Sequence, residues 1–436
     1  MLKSGNKKLV GNFLTYGATN SLASGLPLLI LPFLTKFLSP EDIALIAVFQ
    51  LLFNVLNPFV GVNGVALSSV VYYEKTEQDF VKHRNAFFSL ILLSSIVIAV
   101  LFYAFQNFLI EITAIPLKWL LFIIVYASFE KVAEFLLAHK RLLNKALHFA
   151  IWRIARVALE VGLTVYFLLY VNQNWESRAL GIATAGIAIG IIALAYYLRK
   201  DFSLSTNKGD IKQILNFGLP YIPHVLGGVV LTYMDILFVR NMVGNEATGF
   251  YAVGYQIGMI VSLVQNSFNQ AWVPWFFAKL KVINDDIRTQ LVKITYGYFI
   301  ALSVFTAVLV VTLPYVFELF FDERYTQAIQ YVGWIAAGYA VNGMYKMVVN
   351  YLVFLKRTTT IASVTIVVAV LNLVLNYVLI DKFGAIGAAQ STNLSTALNY
   401  MRFRQTAKAL RPAWRSDFSS PPRSATTHPT IRKHCT

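Results

Sequence analysis

The chain has 436 residues, 57% of them hydrophobic and only 13% charged, with a formal net charge of +16. That balance excludes an ordinary soluble globular domain, and a lone cysteine, Cys435, excludes intrachain disulfides and thiolate metal sites. No segment between apolar runs is much longer than about fifteen residues and no G-x-x-x-x-G-K occurs, so there is neither room nor motif for a soluble nucleotide-hydrolysing domain.

Apolar runs near twenty residues long recur from end to end, which predicts an all-α integral membrane protein. Twelve transmembrane helices are expected, near residues 12–35, 43–71, 86–108, 116–138, 147–171, 179–198, 214–239, 249–275, 294–317, 328–355, 361–380 and 383–401. The first run follows a basic segment but lacks a small-residue cleavage site. It reads as a retained span and not as a removed signal peptide.

The cations set the expected orientation. One set of connections holds Lys3, Lys7 and Lys8; Lys75, Lys82 and Arg84; Lys140, Arg141 and Lys145; Arg199, Lys200, Lys208 and Lys212; Lys279, Lys281, Arg288 and Lys293; and Lys356 with Arg357. The alternate set holds one each: Lys36, Lys118, Arg178, Arg240, Arg324 and Lys382. Nineteen against six, in strict alternation, is a positive-inside pattern. Both termini are then cytoplasmic, and the basic surplus faces membrane lipids, not nucleic acid.

In chain order, the first span holds Pro27 and Pro32, and the seventh holds Pro220 and Pro223. Proline inside a membrane helix bends it and frees carbonyl groups. The second span sets Gln50, Asn54 and Asn57 on one helical face, and the eighth carries Ser262, Gln265, Asn266, Asn269 and Gln270. Such stripes either line an aqueous cavity or hydrogen-bond between helices, at about 0.6 kcal/mol per bond.

The fourth span carries Glu130, Lys131 and Glu134; the fifth carries Arg153, Arg156 and Glu160, spaced i, i+3 and i+7 on one narrow arc. A charge at the bilayer centre costs about 2.5–3.5 kcal/mol on insertion scales, so it faces a partner or a water-filled cavity. With Lys346 of the tenth span, these groups are expected to form one layer in the cytoplasmic half of the membrane. Two readings compete. The layer is a neutral network holding helices together, or Arg153, Arg156, Lys131 and Lys346 grip a pyrophosphate or acidic sugar, which a guanidinium fork suits best.

Asp235, near the far end of the seventh span, is either a proton or sodium site or a helix-end carboxylate in contact with water. Glu160 is the other candidate for ion coupling, because Glu130 and Glu134 have cations nearby to pair with. His148 and His224 read as interfacial, His83 and His139 flank basic loops, and neither a metal site nor a cofactor is expected.

The halves also show a weak duplication. Phe37–Gln50 and Met242–Gln256 share Glu, Ala-Val and Gln at the same junction, and Glu130 and Lys346 each lie ten residues before a Lys-Arg pair. Six spans separate the members of each pair, which predicts two parallel six-helix repeats. The expected domains are an N-terminal lobe, 1–200, a C-terminal lobe, 201–401, and a basic tail, 402–436, whose Ser, Thr, Pro and Arg content predicts disorder.

Phe217-Gly218-Leu219-Pro220-Tyr221-Ile222-Pro223, then Asp235, then Gly244 and Gly249-Phe250-Tyr251-Ala252 resemble the seventh-to-eighth span signature of Wzx-type O-antigen flippases. Leu371-Asn372-Leu373-Val374-Leu375-Asn376-Tyr377-Val378-Leu379-Ile380, followed by Gly384-Ala385-Ile386-Gly387-Ala388-Ala389, is similar to their eleventh-to-twelfth span junction. Ala271-Trp272-Val273-Pro274 fits as well. The resemblance covers roughly residues 5–401, in a polysaccharide transporter family of the multidrug/oligosaccharidyl-lipid/polysaccharide exporter superfamily. It implies two six-helix lobes around a V-shaped central cavity. It also implies flipping of undecaprenyl-diphosphate-linked oligosaccharide across the bacterial inner membrane, with other polysaccharide assembly proteins as potential partners. The chain departs from the pattern at Ile236, where Arg usually follows the aspartate, and where Arg402, Arg404 and Lys408 interrupt the last span.

Two alternatives stand beside this reading. A multidrug or cation exporter of the same architecture should have a cavity dominated by carboxylates and aromatics. A membrane enzyme of polysaccharide assembly, such as an O-antigen polymerase, needs acid/base groups in a substantial external loop, and the corresponding connections here are short and nearly uncharged.

Overall fold

The computed structural model describes residues 2–199, 203, 207–280, 282, 284–355 and 358–409. The expected lobe boundary at 200/201, the cations Lys200, Lys281, Lys356 and Arg357, and residues 410–436 of the expected tail lie outside the described residues. Among the described residues, every regular element is helical.

The first half contains α1 (Leu2–Leu29), α2 (Leu31–Phe37), α3 (Pro40–Leu56), α4 (Gly64–Glu74), α5 (Glu77–Ala104), α6 (Gln106–Thr113), α7 (Leu117–Leu142), α8 (Ala146–Tyr170) and α9 (Trp175–Leu198). The second contains α10 (Lys208–Met242), α11 (Asn245–Gly258), α12 (Ile260–Leu280), α13 (Asp285–Phe320), α14 (Ile329–Phe354), α15 (Thr358–Phe383) and α16 (Ala385–Ala409). Seven helical stretches are long and apolar enough to cross a membrane, or nine when two bent pairs are each taken as one span. The chain is therefore a multi-pass membrane protein. α8, α14 and α16 have comparable length but carry polar side chains, several of which build the clusters described below.

Local chemistry sets where these helices start and break. Ser39 and Asp42 form a reciprocal cap at the start of α3, and Thr76 and Asp79 do the same for α5. The second expected span is not continuous, because α3 and α4 differ in direction by 57°. Between them Gly61, Val62 and Asn63 take φ of 65°, 50° and 52°, a left-handed conformation that is costly for a β-branched side chain. The break is held from two sides. Ser94 accepts the Gly61 amide at 2.9 Å, and Gly218 of α10 lies against it, so that a Cβ there would stand 1.9 Å from the Val62 carbonyl oxygen.

A second close approach joins the halves. A Cβ on Gly249 of α11 would lie 1.9 Å from the carbonyl oxygen of Pro40 at the start of α3. Both glycines belong to the motif that carries the family resemblance, and both mark where backbones meet. Around these points α3 packs against α10 and α11, while α1 packs along α8 and also touches α12.

One end of the bundle gathers Lys82, Lys140, Arg141 and Lys145, and is here called the basic end. Arg84 and Lys140, counted as loop cations from the sequence, are in fact 4% and 7% exposed. Arg84 lies over the Tyr197 ring and Lys140 over that of Tyr196; aromatic faces accommodate cations that water no longer reaches. At the opposite end the second half clasps the first through main-chain carbonyls. Arg324 donates to Thr35 and Lys36 at 3.3 and 3.4 Å, Tyr325 to Leu38 at 2.9 Å, and Arg240 to Ile112 at 2.5 Å. The acceptors are at the ends of α2 and α6, where helix carbonyls lack intrahelical partners and carry partial negative charge. Asp322 steadies Arg324 at 2.7 Å, and that hydrogen bond holds the Asp322 carboxyl below its ordinary range.

Candidate functional site

The charged residues of α7 and α8 come together as the helical spacing requires, with one addition. Arg156 donates through Nε to both oxygens of Glu130, at 2.9 and 3.1 Å, through Nη1 to Glu160 at 2.8 Å, and through Nη2 to the Tyr126 hydroxyl at 3.1 Å. Glu160 accepts in turn from Arg178 of α9 at 2.8 Å, and Arg178 also donates to Thr164 at 2.7 Å. Two arginines and two glutamates balance in charge, and Glu130, Glu160 and Arg178 are 7%, 6% and 3% exposed. Breaking such a buried set strands a charge, at a cost of about 3–5 kcal/mol.

Arg178 corrects the sequence reading, which counted it as a loop cation. It lies one turn inside α9 and completes the ion network. Arg156 is corrected in emphasis as well, because all three of its nitrogens are occupied by protein groups here. In this conformation it serves the network and presents no open fork.

Beside the network, Lys131, 3% exposed, pairs with Glu134 at 2.9 Å. Glu134 also accepts from Asn57 of α3 at 3.4 Å. Arg153, one turn before Arg156, is different. It makes no ion pair among the described residues, and its Nε is buried without an acceptor.

In the second half, α12 and α14 are joined by a polar ladder. Gln265 donates to Asn342 at 3.3 Å, Lys346 donates to Asn266, and Asn350 donates to Asn269 at 2.9 Å. Lys346 has no acidic partner among the described residues. Gln265 is fully buried and packs between helices, the interhelical alternative of the two readings of its stripe. Asn266 and Asn269 are half-buried and spend at least one hydrogen bond on the ladder. Gln50 and Asn54 are half-buried too, with the Asn54 amide turned onto the Gln50 carbonyl at 2.7 Å. The charges thus fall into two clusters, one in each half, and among the described residues Lys346 makes no ion pair with the first-half charges.

Asp235 forms a third centre. It is 1% exposed, which overturns the water-contacting, helix-end alternative. Tyr251 of α11 donates to it at 2.9 Å, Asn376 of α15 at 2.6 Å and Thr392 of α16 at 2.5 Å. Asn376 is supported by Asn372, which reaches Ser391 and Ser395 at 3.3 and 3.2 Å. The Asn376 carbonyl oxygen is buried without a donor. All three donors to Asp235 are neutral. A buried carboxylate held only by neutral donors among the described residues is a group suited to taking up a proton.

Broken membrane helices with buried charge clusters inside the bundle make up an architecture that solved membrane transporters share. Over 91% of its length the chain superposes on the structure of "Lipid II flippase MurJ, inward closed conformation", with a TM-score of 0.73, 16% identity and 87% of that chain covered. An inward-facing multidrug resistance MATE family transporter of the MOP superfamily gives 0.67 at 14% identity, covering 91% of this chain and 96% of that one.

Residues 9–280 match the family described as polysaccharide biosynthesis protein, and the chain belongs to that family. "Lsg locus putative protein 1" of Haemophilus influenzae is 23% identical over 58% of this chain and 62% of its own length. "Probable low-salt glycan biosynthesis flippase Agl15" of Haloferax volcanii is 26% identical over 53% of this chain and 49% of its own. "Putative O-antigen transporter" of Shigella flexneri is 22% identical over 55% and 57%. The chain spans about half to three-fifths of the length of these curated relatives. The resemblance read from the Gly218 and Gly249 motif is borne out at the level of the family.

Proposed function

We propose that the chain is a flippase for diphosphate-linked oligosaccharides, working by alternating access between lobes 1–200 and 201–401. In this reading the chain crosses the bacterial inner membrane twelve times, with both termini and the basic end on the cytoplasmic side, and the carried lipid is undecaprenyl-diphosphate-linked O antigen. The observation that carries this reading is a pair of cations, Arg153 on α8 and Lys346 on α14, neither of which makes an ion pair among the described residues, and Arg153 Nε is buried without an acceptor. Anions cannot enter hydrocarbon bare, and unpaired cations at membrane depth are what a diphosphate requires. Lys131, whose ion pair among the described residues is with the partly exposed Glu134, is the third substrate contact, and Arg156 holds the helices behind it through Glu130 and Glu160.

Asp235 is the coupling site in this scheme. Glu160, saturated by two arginines, belongs to the scaffold. Half-buried Gln50, Asn54, Asn57, Asn266 and Asn269 supply the sugar-facing wall. The two cations left outside the charge-balanced network, Arg153 and Lys346, support this reading over a drug or cation exporter, whose substrate they would repel.

Deleting the gene in its host and analysing both glycan pools tests the proposal. Surface polysaccharide should disappear while the lipid-linked unit accumulates. Normal surface polysaccharide with no accumulated intermediate would refute it.

A further inference from the structure

α6 follows α5 directly at Phe105 and stands at 93° to α7. With α7 crossing the bilayer, a helix at that angle lies along the membrane plane. Its level is the non-basic interface. α5 runs for 28 residues, about 42 Å, which outlasts a hydrocarbon core of about 30 Å. On the other side of α6, α7 opens with Lys118, largely exposed and paired with Glu176 of α9 at 2.8 Å. Such a pair belongs among water and lipid head groups.

At 100° per residue the side chains of α6 fall into three sectors about 120° apart. Gln106, Leu109, Ile110 and Thr113 form the first. Thr113 is buried, and Leu109 and Ile110 pack on the core of the bundle. Asn107 and Glu111 form the second, and both are exposed. Phe108 forms the third together with Phe105, the residue that opens the helix, and each ring is 59% exposed. The rings continue the outer wall of α5, where Val97, Val100 and Leu101 are exposed as well. Protein, water and an apolar medium are the surroundings that such a helix fits. Two bare phenyl rings beside a lipid-facing wall match the boundary between head groups and acyl chains.

The far end of α6 is pinned. Ala114 takes a left-handed φ of 53°, which turns the chain sharply, and Ile115 beyond it is fully buried. Just before that turn, the Ile112 carbonyl receives Arg240 of α10, one of the contacts by which the second half clasps the first. A carbonyl in the last turn of a helix has no intrahelical donor, so it is free to accept one from outside.

We propose that α6 is a membrane-seated foot. It binds the lipid interface of the non-basic leaflet through Phe105 and Phe108, and so holds the Ile112 carbonyl where Arg240 meets it. The state of that leaflet then biases closure of the non-basic end. The proposal rests on the alternating closure of the flippase reading and not on its substrate.

The test uses the full chain in phosphatidylethanolamine and phosphatidylglycerol vesicles, with Cys435→Ser as background. Spin labels on Phe105→Cys, Asn107→Cys, Phe108→Cys and Glu111→Cys meet oxygen, which concentrates in lipid, or a water-soluble nickel chelate. Labels at 105 and 108 should relax mainly with oxygen, and those at 107 and 111 mainly with nickel. Nickel dominance at all four sites would place α6 in water and overturn the proposal. The coupling is read from the reaction of Asn57→Cys with an impermeant thiol reagent added from the non-basic side. Phe105→Ser/Phe108→Ser should speed that reaction about threefold, the worth of one hydrogen bond. Phe108→Ser alone, milder for folding, should give part of the rise, and Phe105→Leu/Phe108→Leu should keep the native rate. Added to Arg240→Ala, the serine pair should raise nothing further, because the contact it acts through is already gone. Full additivity, or native reactivity in both serine variants, would overturn the coupling. Neither readout involves a glycan lipid, so failure here is distinct from failure of the flippase reading.

Discussion

Arg156 spans both oxygens of Glu130 at 2.9 and 3.1 Å while its Nη1 holds Glu160, yet the two carboxylates are not equivalent. Glu160 keeps Arg178 if Arg156 is lost, whereas Glu130 has no second ion pair among the described residues. Arg156→Ala should therefore lower stability by about 3–5 kcal/mol. Glu130→Gln should rescue it by removing the stranded charge, and Glu160→Gln should worsen it by also releasing Arg178. Thermal unfolding in detergent reads all three. Equal rescue by either glutamine would contradict the asymmetry.

Arg153 should behave in the opposite way. With no ion pair to break among the described residues, Arg153→Ala should leave abundance and unfolding temperature nearly unchanged. Transport of a diphosphate-linked lipid should drop by about tenfold or more, the worth of a charged hydrogen bond. Arg153→Lys should recover only part, because an ammonium keeps the charge without the fork. A stability loss as large as that of Arg156→Ala would place Arg153 in the scaffold instead.

Asp235→Asn preserves shape and leaves the Tyr251 and Thr392 hydroxyls free to turn and accept. The variant should fold and bind substrate but lose the dependence of transport on a proton or sodium gradient. Flux measured with and without each gradient decides the matter, and an unchanged dependence would remove Asp235 from coupling.

The clasp at the non-basic end predicts a population shift. Replacing Arg240 and Arg324 with Ala removes about 1.5 kcal/mol of contacts to helix-end carbonyls, roughly a tenfold change in the balance of states. Asn57→Cys, with Cys435→Ser removing the native thiol, should then react faster with an impermeant thiol reagent added from that side. Unaltered reactivity would show that the apolar seam alone keeps that end shut.

The sequence made the first cluster largely readable, because i, i+3 and i+7 spacing is a property of the helix itself. Arg178 escaped for a physical reason. A charge near the start of an apolar run is indistinguishable from a loop charge until the neighbouring helix shows that Glu160 lies within its reach. The partners of Asp235 are 16, 141 and 157 residues away, so only tertiary packing of α10, α11, α15 and α16 defines that centre. The break after α3 was equally hidden: Gly61, Val62 and Asn63 sit inside an apolar stretch, and their left-handed backbone depends on Ser94 and Gly218. The glycines of the motif were visible as letters, and their reason lies in the 1.9 Å approaches they allow.

The central claim is transbilayer movement of a diphosphate-linked glycan, and its direct measurement is made with purified protein in vesicles. A fluorescent oligosaccharide on a polyprenyl diphosphate, placed in both leaflets, is exposed to an impermeant quencher. With the native chain, quenching should proceed past the outer-leaflet fraction at a rate that scales with protein content. Arg153→Ala and Lys346→Ala vesicles should stop near the outer-leaflet fraction while holding equally folded protein. Quenching that halts at that fraction with the native chain, under every imposed ion gradient, would contradict the account.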